Sequence, residues 1–168
     1  MLERKGIQYL LRALALAPLN YEVHIVGEGP YLPTLRKMVP SNMEVKFWGW
    51  LDNQSPELKA LYESASIFVL PSEAENFPIS LLEAMAAGLA IVTTQGTGCA
   101  EVVGPTGLLV PVRDEASLAS ALKRLVDDES LRYNLSQAAR RRVEAQFSWP
   151  AVTQQYLKLY SEVKGESS

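Results

Sequence analysis

The sequence predicts an α/β fold in which a parallel sheet is covered by helices on both faces. Short β-branched runs alternate with longer segments of helical apolar spacing, as parallel strands joined by helical crossovers require. Turn residues, not long polar linkers, separate the runs. Length and composition agree: 168 residues, 48% apolar and 21% charged, suit one globular domain. A domain of this size buries roughly 70% of its unfolded surface and needs no staple. It is expected to span residues 1–164, with 165–168 as a flexible tail.

Taken in order, Leu10, Leu11 and Leu14, followed by Ala17, mark an amphipathic helix ending near Pro18. "YEVHIVG" reads as a strand, stopped by the turn Gly27-Glu28-Gly29-Pro30. A short helix over 32–38 leads to the strand "EVKFWG". Leu58, Leu61 and Tyr62 mark the next helix, and "SIFVLP" is a third strand closed by Pro71. There follow a helix over 80–87, the strand "AIVTT" and a short extended piece, "GLLVP". The remainder is helical: 118–126, 130–146, and a last helix that starts near Pro150 and runs toward Val163. Ligands in such sheets bind beyond the C-terminal strand ends, which singles out the loops after Val26, Trp48, Leu70 and Thr94.

Charge and residue counts exclude several classes. A net charge of -3, from 19 acidic and 16 basic residues, gives no long-range pull toward nucleic acid. The basic run Arg140-Arg141-Arg142 reads as the solvated face of a helix. One cysteine, Cys99, allows no internal disulfide and no thiol cluster, so no metal site is expected. The single histidine, His24, lies in an apolar run where an edge or packed position fits better than catalysis. The longest charge-free stretch, residues 84–100, is broken by Gly88 and "TTQGTG", so no transmembrane segment is expected. Without a signal peptide after Met1, a cytoplasmic location is the expectation.

Two motifs carry candidate chemistry. "GEGPYL" supplies two glycines of a dinucleotide fingerprint, Gly27 and Gly29, but Leu32 stands where the third belongs. Pro30 also removes a phosphate-facing N–H, so a tight turn beside a ligand fits better than a dehydrogenase loop. The second motif is "PSEAENFPISLLEAMAAG", with Glu75 and Glu83 separated by seven residues. Ser80 and Glu83 have the spacing of a capping box, which would account for Glu83 structurally. Glu75 sits in the loop before that helix and has no such account. A helix start at a strand's C-terminal edge attracts anions. Two carboxylates there fit a ligand that brings both phosphate and vicinal hydroxyls, as a sugar nucleotide does.

This stretch resembles the signature of the retaining glycosyltransferases of family 4, in the GT-B fold. "RKG" at residues 4–6, "IVGEGP", "VKFWGW", "GTGCAEVVG", "GLLVP" and "FSWPAVTQQYLKLY" match that family in order, so the resemblance covers almost the whole chain. It implies the Rossmann-like, C-terminal half of a GT-B enzyme that transfers a hexosyl group from a UDP-, GDP- or ADP-sugar. Polysaccharide, lipopolysaccharide or glycolipid synthesis would be the setting. Lys5 matches the lysine that pairs with the diphosphate, and Glu75 the glutamate that contacts the donor sugar; these are the candidate catalytic residues. Glu83 matches the ribose-binding glutamate. Asn76, Phe77, Pro78 and Ile79 would line the donor, Phe77 and Ile79 through backbone N–H groups. Gly27, the loop Gly49-Trp50-Leu51 around the base, and Glu101 complete the donor-binding set. No cofactor and no metal are implied, since a lysine and a helix start stabilise the departing diphosphate.

The chain departs from the family pattern in three respects. Asn76 and Pro78 stand where glycine is frequent, and Pro78 offers no N–H. Thr97 replaces the first glycine of a common pair. The largest departure is that the family places a central strand and an arginine before the Lys-Gly pair. Only four residues precede Lys5, and Arg4 has the wrong spacing. The N-terminal acceptor domain is also missing. The chain alone is therefore expected to be inactive, and its unpaired sheet edges would invite association. The competing readings are a truncated, non-catalytic fragment that needs a partner chain, and a GT-B sugar-nucleotide epimerase.

Overall fold

The computed structural model describes residues 1–17 and 20–165. The helix stop expected at Pro18 and the tail over 166–168 lie outside the described residues. The strands are β1 (Val23–Val26), β2 (Val45–Gly49), β3 (Ile67–Leu70), β4 (Ala90–Thr94) and β5 (Leu108–Val110). The helices are α1 (Ile7–Leu16), α2 (Leu32–Lys37), α3 (Pro56–Ser64), α4 (Ile79–Ala86), α5 (Gly98–Val103), α6 (Glu115–Asp127), α7 (Glu129–Gln146) and α8 (Trp149–Val163). Every expected element is present. The short helix α5 was not anticipated, because "GTGCAEVVG" opens and closes on glycine and is only one turn and a half long.

Local chemistry sets most helix starts. Ser55, Asp114, Asp128 and Ser148 cap α3, α6, α7 and α8 by accepting from the amides of Leu58, Ser117, Leu131 and Ala151. Pro56 and Pro150 sit in the first turns of their helices, where a missing N–H costs nothing. Helix α4 is different. Its N-cap is Pro78, with no side-chain cap, so the helix begins at Ile79. Ser80 then falls inside the first turn, and the capping box suggested by its spacing to Glu83 does not form. Proline 78, extended at φ -77° and ψ 109°, fixes the start two residues too early for it.

All strand pairs are parallel, and they form two sheets. One is β3-β4-β5 and the other β1-β2, so β1 and β3 each keep one edge without a strand partner among the described residues. Strand β4 is the centre of the larger sheet, buried along its whole length. Its side chains alternate as strand geometry demands. Ala90 and Val92 join Leu10, Ala13 and Leu14 of α1 and Leu118, Leu122 and Leu125 of α6. Ile91 faces the opposite layer, with Leu81, Ala84 and Met85 of α4, Val102 and Val103 of α5, and Ala139 and Val143 of α7.

The smaller sheet is covered less completely. Ile25, Leu11 of α1 and Leu35 of α2 make a buried core, with Val23, Val45 and Phe47 packed against it. On the other face His24 and Lys46 are exposed, and Trp48 donates from Nε1 to His24 Nδ1 at 3.1 Å. Helix α1 joins the two halves: Val23 of β1 and Ile67 and Val69 of β3 all pack on the core that holds Leu10 and Leu14. Helix α3 buries none of its residues, and neither does α8, whose Trp149, Tyr156, Tyr160 and Val163 stay exposed.

Candidate donor site

Residues 1–6 run past the C-terminal ends of strands in both parallel sheets. The Met1 carbonyl accepts from Tyr31 N, beyond β1, at 3.2 Å, and the Arg4 carbonyl accepts from Glu73 N, beyond β3, at 2.8 Å. Gly6 allows the approach. Its φ is +72°, and a Cβ there would collide with the carbonyl oxygen of Pro71. This strap carries Lys5 to the loop after β3.

Lys5 Nζ lies 2.6 Å from Glu75 Oε1, and the same oxygen accepts from Ser72 Oγ at 2.8 Å. The lysine side chain is 40% exposed and that of Glu75 only 13%, so the carboxylate is held while the cation keeps access to solvent. Ser72 is itself fully buried, and its carbonyl accepts from Thr94 Oγ1 at 2.6 Å. Thr93 Oγ1 donates to the Leu70 carbonyl at 2.7 Å. Two buried threonines at the end of β4 thus pin the loop that presents Glu75. In the sequence Thr94 stands only as the end of the strand "AIVTT", with no sign that either hydroxyl would hold this loop.

The loop continues to α5 and α4. Gly98 N donates to the Glu75 carbonyl at 2.8 Å, and a Cβ at Gly98 would strike the Asn76 carbonyl. Asn76, Phe77 and Ile79 are exposed, Pro78 is buried, and Phe77 sets its ring edge-on to Phe147 at 5.7 Å. Glu101 lies exposed on the first turn of α5, which opens at Gly98. Glu83 is half-buried on α4 and accepts at Oε2 from Tyr62 Oη at 3.2 Å. Among the described residues no ion pair engages it.

The remaining candidates sit at the ends of β1 and β2. Gly27 N donates to the Gly49 carbonyl at 2.6 Å, which ties the two strand ends together. Trp50 is 66% exposed and Leu51 half-buried beside it. The structure therefore brings Lys5 and Glu75 into direct contact, and Gly27 and Gly49 into another. Glu83 is joined through Tyr62 to α3.

A second polar cluster went unanticipated. Glu73 accepts from Arg113 Nη2 at 2.6 Å and from Tyr9 Oη at 2.8 Å. The hydrogen bond from Arg113, then that from Tyr9, holds its carboxyl below the usual carboxylate value. Arg113 reaches it from a left-handed backbone, φ 60°, uncommon outside glycine. These three residues, with Leu2, Glu3 and Arg4, line an open concavity of about 730 Å³. Lys5, Glu75 and Glu83 are not among its lining. Among the described residues no group of three or more His, Cys, Asp and Glu side chains could hold a metal ion. Nor is any described helix long and apolar enough to cross a membrane.

Residues 1–128 match the family described as glycosyl transferases group 1. The chain is 33% identical over 162 residues to the lipopolysaccharide core biosynthesis glycosyltransferase LpsE of Rhizobium meliloti, covering 94% of this chain and 46% of that protein. Its fold is similar to that of sucrose-phosphate synthase from Thermosynechococcus elongatus, with a TM-score of 0.83 and 32% identity over 98% of this chain and 44% of that one. It is also similar in fold to Anabaena HepE in complex with UDP, at a TM-score of 0.84 and 22% identity, over 96% of this chain and 46% of that one. The chain spans less than half the length of these proteins.

Proposed function

From its membership of the glycosyl transferases group 1 family, we propose that the chain is the donor-binding half of a retaining, family 4 glycosyltransferase. It takes a hexosyl unit from a nucleoside-diphosphate sugar for an acceptor held by a further domain. The observation that carries this reading is the Lys5–Glu75 contact at the C-terminal strand ends, with Glu83 free of any capping duty. A UDP complex of the similarly folded HepE and the lipopolysaccharide role in the name of LpsE accord with it.

In this reading Glu75, steadied by Ser72, accepts from hydroxyls of the donor sugar, and Glu83 accepts from the ribose diol. Breaking the bond from the anomeric carbon to the diphosphate builds negative charge on the departing oxygen. Lys5, on a flexible stem and partly in solvent, turns from Glu75 toward that charge. A cation aimed there stabilises the transition state more than the ground state. The backbone N–H groups of Phe77 and Ile79 face the same end of the donor. Gly27, Gly49, Trp50 and Leu51 hold the base, and Asn76, Pro78 and Glu101 border the donor. Acceptor and reaction partner groups come from outside the chain, so transfer by the chain alone is absent or very slow.

Calorimetric titration with UDP-, GDP- and ADP-hexoses tests this. Saturable heat with one of them is expected, lost on Lys5→Ala. The absence of heat with all three would sink the reading. The unpaired edges of β1 and β3 favour a second reading, a fragment that only functions once another chain completes its sheet. Size-exclusion chromatography separates the two: a donor-binding monomer supports the first, and a non-binding oligomer the second.

A further inference from the structure

Glu83 is a carboxylate on a flexible stem that the fold uses for neither a cap nor an ion pair among the described residues. A grip on a vicinal diol needs such a group held in one orientation before the ligand arrives, because freezing it on binding costs affinity. One neighbour supplies that restraint. Tyr62, on α3, donates its hydroxyl to Glu83 Oε2 at 3.2 Å across 21 residues of sequence. Its ring stacks on Phe68 of β3, centroids 6.3 Å apart and planes 27° from parallel. Phe68 in turn packs on the buried core that contains Leu81 and Met85 of the helix bearing Glu83. Ring and carboxylate are therefore seated on the same core.

We propose that Tyr62 is a positioning residue for the ribose grip: it occupies Oε2 of Glu83 and leaves Oε1 presented to the two ribose hydroxyls. Oε1 has no hydrogen-bond partner among the described residues, which suits an atom kept for a ligand. Burial first, then the charge of Glu83 and the hydrogen bond to it, push the Tyr62 phenol well above its ordinary ionisation range. It stays a donor at any pH at which the protein works. Helix α3 has no fully buried residue, and Tyr62 reaches that core half-buried, its ring packed and its hydroxyl on Glu83. The inference rests on the reading that Glu83 binds ribose.

The experiment is titration of the chain with UDP and with 2′,3′-dideoxyuridine diphosphate, which lacks both hydroxyls. Tyr62→Phe keeps the ring and its stack and removes only the donor. It is expected to weaken UDP by about fivefold, the scale of one ordinary net hydrogen bond, and to leave the dideoxy nucleotide unchanged. Phe68→Leu, which unseats the ring without touching the donor atom, is expected to give a smaller loss with the same selectivity. In a Glu83→Ala background, which removes the acceptor, Tyr62→Phe should add nothing. Equal loss on both nucleotides, or no loss on UDP, would overturn the positioning role alone. If the wild-type chain takes GDP or ADP instead, the same comparison is made with that nucleotide and its dideoxy form; a wild-type chain that binds none of the three would overturn the donor-site reading and this inference with it.

Discussion

The half built on β3, β4 and β5 and the half built on β1 and β2 use the same strand-and-helix alternation, yet they are packed very differently. Strand β4 is buried at all five positions and has apolar layers on both faces. In β1 only Ile25 is buried, and Val26 is 38% exposed. The polar groups follow the same division. Thr93 and Thr94 send their hydroxyls into the carbonyls of Leu70, at the end of β3, and Ser72, in the Glu75 loop, whereas His24, Lys46 and Trp48 interact with one another on an open face. The lesson concerns where precision is needed. A carboxylate that is to do chemistry must be held within a narrow range, and the two candidates, Glu75 and Glu83, sit on the more fully packed half. The lighter half offers mainly backbone groups, at Gly27 and Gly49, whose own mutual hydrogen bond fixes their geometry.

Equal truncations on the two halves should therefore have unequal effects. Val92→Ala removes two methyl groups from a fully buried site between α1 and α6 and is expected to cost roughly 2–3 kcal/mol in chemical denaturation. Val26→Ala, at a partly exposed strand end, should change stability by no more than about 0.5 kcal/mol. Comparable losses would break the comparison at its root. A smaller effect is expected from Thr94→Val, which keeps shape and leaves the buried Ser72 carbonyl without its donor. It should cost about 1–2 kcal/mol and loosen Glu75, so that amide exchange at residues 73–76 speeds up while β1 and β2 are unaffected.

The two halves were also unequally legible in the sequence. Strands "SIFVLP" and "AIVTT" were plain because a doubly covered parallel strand reads as one apolar run. The strand "YEVHIVG" was equally plain, but nothing in it said that one face would stay open. That depends on what lies beside β1, which a local pattern does not encode. The family resemblance put Lys5 and Glu75 on one ligand, the diphosphate and the sugar, but their direct contact across 70 residues was not legible in the sequence. Glu83 shows the opposite failure. Its S-x-x-E spacing pointed to a cap, and Pro78, three residues from Leu81, overrode it by setting the helix start. Tyr62, Ser72, Thr94 and Arg113 carried no signal of their own. Each acts through a contact made by tertiary packing, and each is a residue type that strands, helices and turns use for many purposes.

The smallest expected effect tests how far the rigid half extends. Glu73 ties the loop before Glu75 to Tyr9 of α1 and to Arg113 beyond β5, and nothing from β1 or β2 joins this cluster. Its carboxyl is held below the ordinary value of 4.5, first by the Arg113 hydrogen bond and then by Tyr9. The folded protein therefore keeps Glu73 ionised at pH values where the unfolded chain already takes up a proton. Its contribution is complete above about pH 4.5 and fades as the pH falls through the lowered native value. Glu73→Gln should consequently flatten the acid-side fall in Tm and leave the curve above pH 6 nearly parallel to wild type. With Arg113 largely in solvent, screening keeps the difference to about a degree or two. Exchange rates in β1 and β2 should stay the same in this variant at neutral pH. If they rise with those of residues 73–76, the halves are coupled through the strap at residues 1–6, and the division between them is weaker than their packing implies.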